Sequence, residues 1–172
     1  MVSYTIISYV NTIVVMSMAG IAQGTQPLIS YYYGKNESEK YKKLLKYGMV
    51  AAAAGSVVAV LICYVGGESI VGLFLKESEA SLSIYSVRVL RIFILSFLLA
   101  GLNVVLGGYF TSVEKAGFAT MISLTRSLIA LVISLVFLTA VFGGEAIWWA
   151  PLIAESCCLV LSAGLYQWYR KK

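Results

Sequence analysis

The sequence contains no histidine, no aspartate and few charged residues of any kind. Lys, Arg, Asp and Glu make up 12% of the 172 residues, whereas soluble domains average about a quarter. Without histidine the usual zinc and haem sites lose their commonest ligand. The three cysteines lie in apolar segments, where they are expected to be small buried hydrophobes. The scarcity of charged residues therefore argues against a soluble domain, and the lack of histidine gives no support for a metal centre.

What the chain does contain is long apolar segments, since 60% of its residues are hydrophobic. A bilayer core about 30 Å thick needs about 20 apolar helical residues. Alternating apolar and polar strands of the β-barrel type are not seen in the sequence. The fold class predicted is an all-α integral membrane protein with five transmembrane helices, at 4–33, 44–65, 87–109, 118–142 and 147–168.

The basic residues predict the orientation of these helices. They concentrate in the loop 34–46, in the loop 111–117 and at the C-terminus, which all lie on one side of a five-helix chain. The positive-inside rule places that side in the cytoplasm and the N-terminus outside, in a multi-pass protein of the cell membrane. The net charge of +5 does not indicate nucleic acid, because the lysines lie between apolar segments.

The opposite side has one long segment, 66–86, with spacing compatible with a short amphipathic helix at the membrane interface. Arg88 and Arg91 follow it, three residues apart on one helical face. We expect them to extend to the interface or to pair with Glu77 or Glu79.

Four stretches, taken in order, carry a resemblance to a known family. They are GIAQGTQPLISYYYG (20–34), ESIVGLFLKESEASLSIYSVRVLRIF (68–93), GLNVVLGGYFTSVEKAGFATMISLTR (101–126) and GGEAIWWAPLIAES (143–156). The first resembles the end of a lobe's second helix in MATE (multidrug and toxic compound extrusion) transporters, and the others resemble later segments of the second lobe.

This resemblance implies a twelve-helix fold of two six-helix lobes, of which the chain would supply helices eight to twelve, a partial C-terminal lobe. It implies part of a secondary antiporter that expels organic cations or drugs in exchange for H+ or Na+. Without the N-terminal lobe as partner, we expect the chain to be inactive alone. The aspartate that some members carry on the tenth helix has no counterpart here. One alternative is a lipid-linked oligosaccharide flippase of the same superfamily, and another is a non-transporting truncated membrane module.

Polar residues inside the first helix form one group of candidate pathway residues. Pro27 removes an intrahelical hydrogen bond, so a kink is expected there, and Gln23 and Gln26 could bind a ligand or satisfy the freed backbone. Gly20 and Gly24 would allow another helix to approach closely. Pro151 predicts a second kink, and Asn103 is a further polar candidate within a span.

Glu155 is the sharpest candidate, because it is the only acidic residue well inside an apolar segment. It lies roughly 12 Å below the outer edge of its helix. A carboxylate in the membrane is costly, which makes it a candidate proton carrier or binding site for a cationic drug. The alternative is a structural partner for Arg126 on the preceding helix. The expected depths of Glu155 and Arg126 in the membrane differ by roughly 6 to 12 Å, so the sequence does not decide whether the two side chains are in contact.

No catalytic constellation is visible in the sequence. There is no phosphate-binding glycine loop of the GxxxxGK[ST] type, no Ser/His/Asp set and no pair of carboxylates within one span. We therefore expect a transporter rather than an enzyme. Its expected partners are the lipid bilayer and drug-like small molecules, with a coupling ion and no other cofactor.

Overall fold

The computed structural model describes residues 2–75 and 80–171, and nearly all of them are helical. The helices are α1 (Val2–Gly34), α2 (Ser38–Val65), α3 (Gly67–Gly72), α4 (Ala80–Phe93), α5 (Phe97–Ser112), α6 (Ala116–Leu124), α7 (Ala130–Phe142) and α8 (Ala150–Lys171). A 3₁₀ turn joins α4 to α5 at Ile94–Ser96, a π-helical turn joins α6 to α7 at Thr125–Ile129, and a 3₁₀ turn at Gly144–Trp149 precedes α8.

These elements combine into five helices that are long and apolar enough to cross a membrane. They are Val2–Gly34, Ser38–Val65, Ala80–Ser112, Ala116–Phe142 and Gly144–Lys171. We call them the first to the fifth span. Each runs further than the hydrophobic segment used to predict it, because polar residues continue a helix beyond its apolar part.

The third span shows the largest difference, since it begins at Ala80 and was predicted to begin at residue 87. Its early turns contain serines that lower their hydropathy, and one of these serines is inside the protein. Ser86 is buried, and its Oγ lies 2.7 Å from Oγ of Ser3 on α1. The two buried hydroxyls satisfy each other, so this polar residue packs within the bundle. The expected short helix is present as α3, and its position at the membrane interface stays a prediction.

Three helices, α1, α2 and α5, pack most closely, and glycine makes this approach possible. A Cβ at Gly101 on α5 would lie 2.6 Å from Ser56 Oγ and 3.3 Å from the backbone oxygen of Ala52 on α2. A Cβ at Gly108 would lie 2.8 Å from Nε2 of Gln26 on α1. Small residues thus let backbones meet, as is common between membrane helices.

The glycine face predicted from the sequence is a different one. No atom lies within 4 Å of a Cβ built at Gly20 or at Gly24, so no helix of the described residues packs against them. Gln23 and Pro27 share that exposed face. Close approach of another helix to Gly20 and Gly24 therefore stays a prediction, and within the described residues the close contacts form at Gly101 and Gly108 instead.

The two prolines occupy different positions. Pro27 lies inside α1, which the structure shows as one helix from Val2 to Gly34, and a bend at Pro27 stays a prediction. Pro151 is the second residue of α8, directly after a 3₁₀ turn. Proline is tolerated in a first turn because the N–H that it lacks has no partner there. Pro151 therefore marks the start of an α-helix and not a kink in its interior.

The loops between the spans lie at two opposite ends of the bundle. The turn 35–37, the turn 113–115 and the end of α8 lie together, as shown by the hydrogen bond from Ser30 Oγ to the backbone oxygen of Ser112 (3.2 Å) and by Lys115 above the Tyr169 ring. We call this the basic end. At the other end, Trp148 Nε1 donates to the Tyr85 hydroxyl at 3.0 Å.

Candidate intramembrane ion-pair site

Glu155 and Arg126 meet inside the bundle. Nε of Arg126 donates to Oε1 of Glu155 at 2.7 Å. The Glu155 side chain keeps 12% of its surface exposed and that of Arg126 keeps 24%. The contact that the sequence left open is therefore made, and it joins the fourth span to the fifth.

Two irregular turns change the depths that an ideal α-helix would give. Glu155 follows the 3₁₀ turn Gly144–Trp149, in which the rise is about 2.0 Å per residue instead of 1.5 Å. Three residues of that turn lie within the predicted fifth helix, which starts at residue 147, and they place Glu155 roughly 1.5 Å deeper than an α-helix would. Arg126 lies within the π-helical turn Thr125–Ile129. Such turns are rare and occur often at functional sites.

Asn103 completes the cluster from the third span. Its Nδ2 donates to Oε2 of Glu155 at 2.7 Å and to the backbone oxygen of Glu155 at 2.9 Å. Both carboxylate oxygens thus accept hydrogen bonds from N–H groups. Three of the predicted candidates, Glu155, Arg126 and Asn103, converge on one site from three spans.

One polar atom of this cluster has no partner. Asn103 is 1% exposed, and its Oδ1 accepts no hydrogen bond from the described residues. Its amide orientation is fixed, because Nδ2 makes both bonds to Glu155. An unsatisfied buried acceptor costs about 1–3 kcal/mol. Few buried polar groups in native proteins lack a partner, so Asn103 Oδ1 is an acceptor available at this site.

A cavity of about 450 Å³ opens beside the ion pair. Its polar wall includes Arg126, Glu155, Ser127 and Asn11, and its apolar wall includes Phe93 and Trp148. Mostly apolar walls with a few polar groups are typical of sites for small molecules. Ser127 and Trp148 were not predicted to line a site. Only the packing of four spans brings these side chains together.

The glutamines of α1 do not belong to this cavity. Gln26 is partly buried and packs against Gly108 of α5, and Gln23 is exposed on the open face of α1. Neither glutamine lines the cavity beside Glu155, and their predicted role as ligand contacts stays a prediction.

The pairing predicted for the arginines near the non-basic end stays a prediction, because Glu77 and Glu79 lie outside the described residues. Arg91 Nη2 lies 3.7 Å from Oε1 of Glu68, and its guanidinium lies 5.0 Å from the ring centre of Tyr64. Both members of this pair are well exposed, so it contributes little to stability.

The geometry defines a class of protein. Four of the five apolar helices line a cavity beside a largely buried ion pair, which describes a multi-pass membrane protein with an internal polar site. The sequence model of the MatE family matches residues 1–136, and the chain belongs to that family.

Relatives and solved structures agree with this assignment. The chain is 25% identical over 161 residues to "Multidrug export protein MepA" of Staphylococcus haemolyticus, covering 94% of this chain and 34% of that protein. It is 24% identical over 157 residues to the MepA protein of Staphylococcus aureus (strain MRSA252), with 91% and 33% covered. The chain therefore spans about a third of the length of these relatives.

Two solved MATE structures show the same fold. One is described as the outward-facing conformation of a multidrug resistance MATE family transporter of the MOP superfamily, with a TM-score of 0.88 and 15% identity. The alignment covers 99% of this chain and 38% of that one. The inward-facing conformation of such a transporter gives a TM-score of 0.86 at 16% identity. The fold is thus that of part of a MATE transporter, as the resemblance implied.

Proposed function

We propose that the chain is part of a multidrug efflux transporter that expels organic cations or related drugs from the cell. The observation that carries this proposal is the Arg126–Glu155–Asn103 cluster beside a largely apolar cavity within the spans. An ionisable residue in a membrane-spanning segment is a functional-site hypothesis by default, because burying it is costly. The names of the MepA relatives support the same activity.

A further part of the proposal is that transport requires a second lobe. The relatives are about three times as long as this chain, and α1 presents Gly20, Gln23, Gly24 and Pro27 on a face that no described residue covers. A small-residue face suits close contact with another helix. We expect residues 1–172 alone to give no efflux, and the whole reading frame that contains them to give efflux.

Coupling to an ion is proposed to act through Glu155. While the pair is closed, both carboxylate oxygens face N–H donors, so the carboxylate is not open to a cation. We propose H+ as the coupling ion, carried on the Glu155 carboxyl group once Arg126 has separated from it. Na+ is the alternative, and the replacement of Na+ by choline described below distinguishes the two ions.

The flippase alternative needs a cationic cavity around Arg126. Among the described residues that line the cavity, Glu155 neutralises Arg126 at 2.7 Å. This pairing favours efflux over transport of a polyanionic lipid-linked sugar. The alternative of a non-transporting module is tested by the efflux measurement below.

Ethidium efflux from drug-sensitive bacteria that express the whole reading frame tests the proposal. We expect efflux to stop on addition of a protonophore and to continue when Na+ is replaced by choline. Glu155→Gln should abolish coupled efflux while the protein still reaches the membrane, and Glu145→Gln, in an exposed turn, is the matched control. Normal efflux with unchanged pH dependence in Glu155→Gln would assign Glu155 a structural role. Absent efflux from the whole frame would leave the non-transporting module.

Membrane orientation is proposed from the charge distribution. The basic end lies on the cytoplasmic side of the cell membrane, and the N-terminus of α1 lies on the outer side. A reporter fused after the C-terminus distinguishes the two orientations. We expect a fluorescent protein to fluoresce there and an alkaline phosphatase fusion to be inactive.

A further inference from the structure

A second pocket lies at the basic end, well away from the ion pair. Its volume is about 530 Å³, within the range of about 300–1,000 Å³ that is usual for ligand sites. Three cationic side chains line it, each from a different element: Lys42 from α2, Lys115 from the turn before α6, and Arg170 from α8. We call it the basic pocket.

Aromatic rings form the walls of the basic pocket. Tyr109 is 2% exposed, and its ring centre lies 6.4 Å from that of Tyr41 and 5.7 Å from that of Tyr166. Lys115 Nζ lies 5.9 Å from the ring centre of Tyr169. Residues from α2, α5 and α8 are thus held together by ring contacts, which gives the pocket a built shape rather than that of a chance gap between side chains.

The charge of the pocket has one sign. Among its described lining residues none is acidic. Glu114 precedes Lys115 but does not line the pocket, and Glu37 pairs with Lys40 elsewhere in the same end of the bundle. Three cations around one cavity without a counter-ion repel each other, so an anion that enters relieves this repulsion.

The position of the pocket identifies the kind of anion. Tyrosine and tryptophan side chains concentrate at the headgroup level of a bilayer, and this pocket contains four tyrosines together with Trp168. Basic pockets between helices on the cytoplasmic side are suited to anionic lipid headgroups. An anionic phospholipid can place its phosphate among the three cations and its glycerol and upper acyl chains against the rings.

We propose that the basic pocket binds an anionic phospholipid of the cytoplasmic leaflet through its headgroup phosphate. The bound lipid would bridge α2, the turn before α6 and α8, and so hold together three spans at this end. This inference rests on the proposed orientation and does not depend on the efflux activity, so either can fail without the other.

Native mass spectrometry tests the proposal on the full chain, purified in mild detergent and equilibrated with equal amounts of phosphatidylglycerol and phosphatidylcholine. We expect phosphatidylglycerol to be retained preferentially, by on the order of tenfold. The triple variant Lys42→Gln/Lys115→Gln/Arg170→Gln should lose this preference. The matched control is Lys35→Gln/Lys43→Gln/Lys46→Gln, which removes the same charge from the same end outside the pocket, and it should keep the preference.

Each result decides the question. Equal loss in the two triple variants would mean that general surface charge attracts the lipid, and would overturn the proposal. No preference in the unsubstituted chain would also overturn it. Displacement of phosphatidylglycerol by millimolar inorganic phosphate or glycerol phosphate would assign the pocket to a free phosphate compound and not to a lipid. Quenching of Trp168 fluorescence by brominated phosphatidylglycerol, compared with brominated phosphatidylcholine, supplies a second readout if a variant is poorly stable.

Discussion

Breaking the Arg126–Glu155 pair one partner at a time should destabilise the bundle more than removing both partners. In Arg126→Met the Glu155 carboxylate stays buried with only Asn103 as donor. Loss of one member of a buried pair costs about 3–5 kcal/mol. Since Arg126 keeps 24% of its side chain exposed, we expect about 3 kcal/mol, the low end of that range. Glu155→Met should cost about the same, because it leaves the guanidinium without its carboxylate.

The double variant Arg126→Met/Glu155→Met separates pairing from packing. It leaves no charge from this pair in the bundle. Asn103 Nδ2 can still donate to the backbone oxygen of residue 155, which lies 2.9 Å from it in the unsubstituted protein. Replacing both members of a buried pair by apolar residues of similar size is often neutral. We expect a loss of about 1 kcal/mol, far less than the sum of the two single variants.

Thermal unfolding of the chain in one detergent, at one fixed heating rate, measures these differences. For a chain of this size 1 kcal/mol corresponds to about 3 °C, so each single variant should unfold about 9 °C lower and the double variant about 3 °C lower. Arg91→Met is the control, because the Arg91–Glu68 pair is 3.7 Å long and exposed and should contribute less than about 1 kcal/mol. Additive shifts in the double variant would refute the reasoning.

The remaining predictions concern packing and the third member of the cluster. Gly101→Ala should cost about 2 kcal/mol of stability, because the added Cβ would lie 2.6 Å from Ser56 Oγ. Gly20→Ala places its Cβ in open space, so it should be neutral or slightly stabilising in the same thermal unfolding assay. Asn103→Ala removes a hydrogen bond to a charged oxygen and should cost about 2 kcal/mol of stability. If Glu155→Gln is introduced first, the additional cost of Asn103→Ala should fall by about half. An unchanged cost would argue against the hydrogen bond between Asn103 and Glu155.

Much of the architecture could be predicted from the chain alone, because apolar length is a local property. All five predicted spans lie within helices that can cross a membrane, and the expected short helix before the third span is present as α3. The start of the third span could not be predicted from hydropathy. Ser86 pairs with Ser3 on α1, and a hydropathy scale counts Ser86 as polar although its hydroxyl is satisfied inside the protein.

The candidate site could be predicted only in part. Glu155 and Arg126 stand out because charge is rare in a membrane-spanning segment. Their contact depends on a 3₁₀ turn and a π-helical turn, which change the depth of each residue and have no clear sequence signal. The glutamines of α1 stood out as polar residues within an apolar helix, yet they do not line the cavity beside Glu155.

The sequence by itself determined that this chain is a bundle of five membrane helices with its basic loops at one end, because the cost of exposing apolar residues and burying charge is set residue by residue. Only the tertiary structure decided which polar residues meet. Asn103, Arg126 and Glu155 come from three spans, and Lys42, Lys115 and Arg170 from three elements. Their distances depend on helix rotation and depth, and these are fixed by packing between helices that are far apart in the chain.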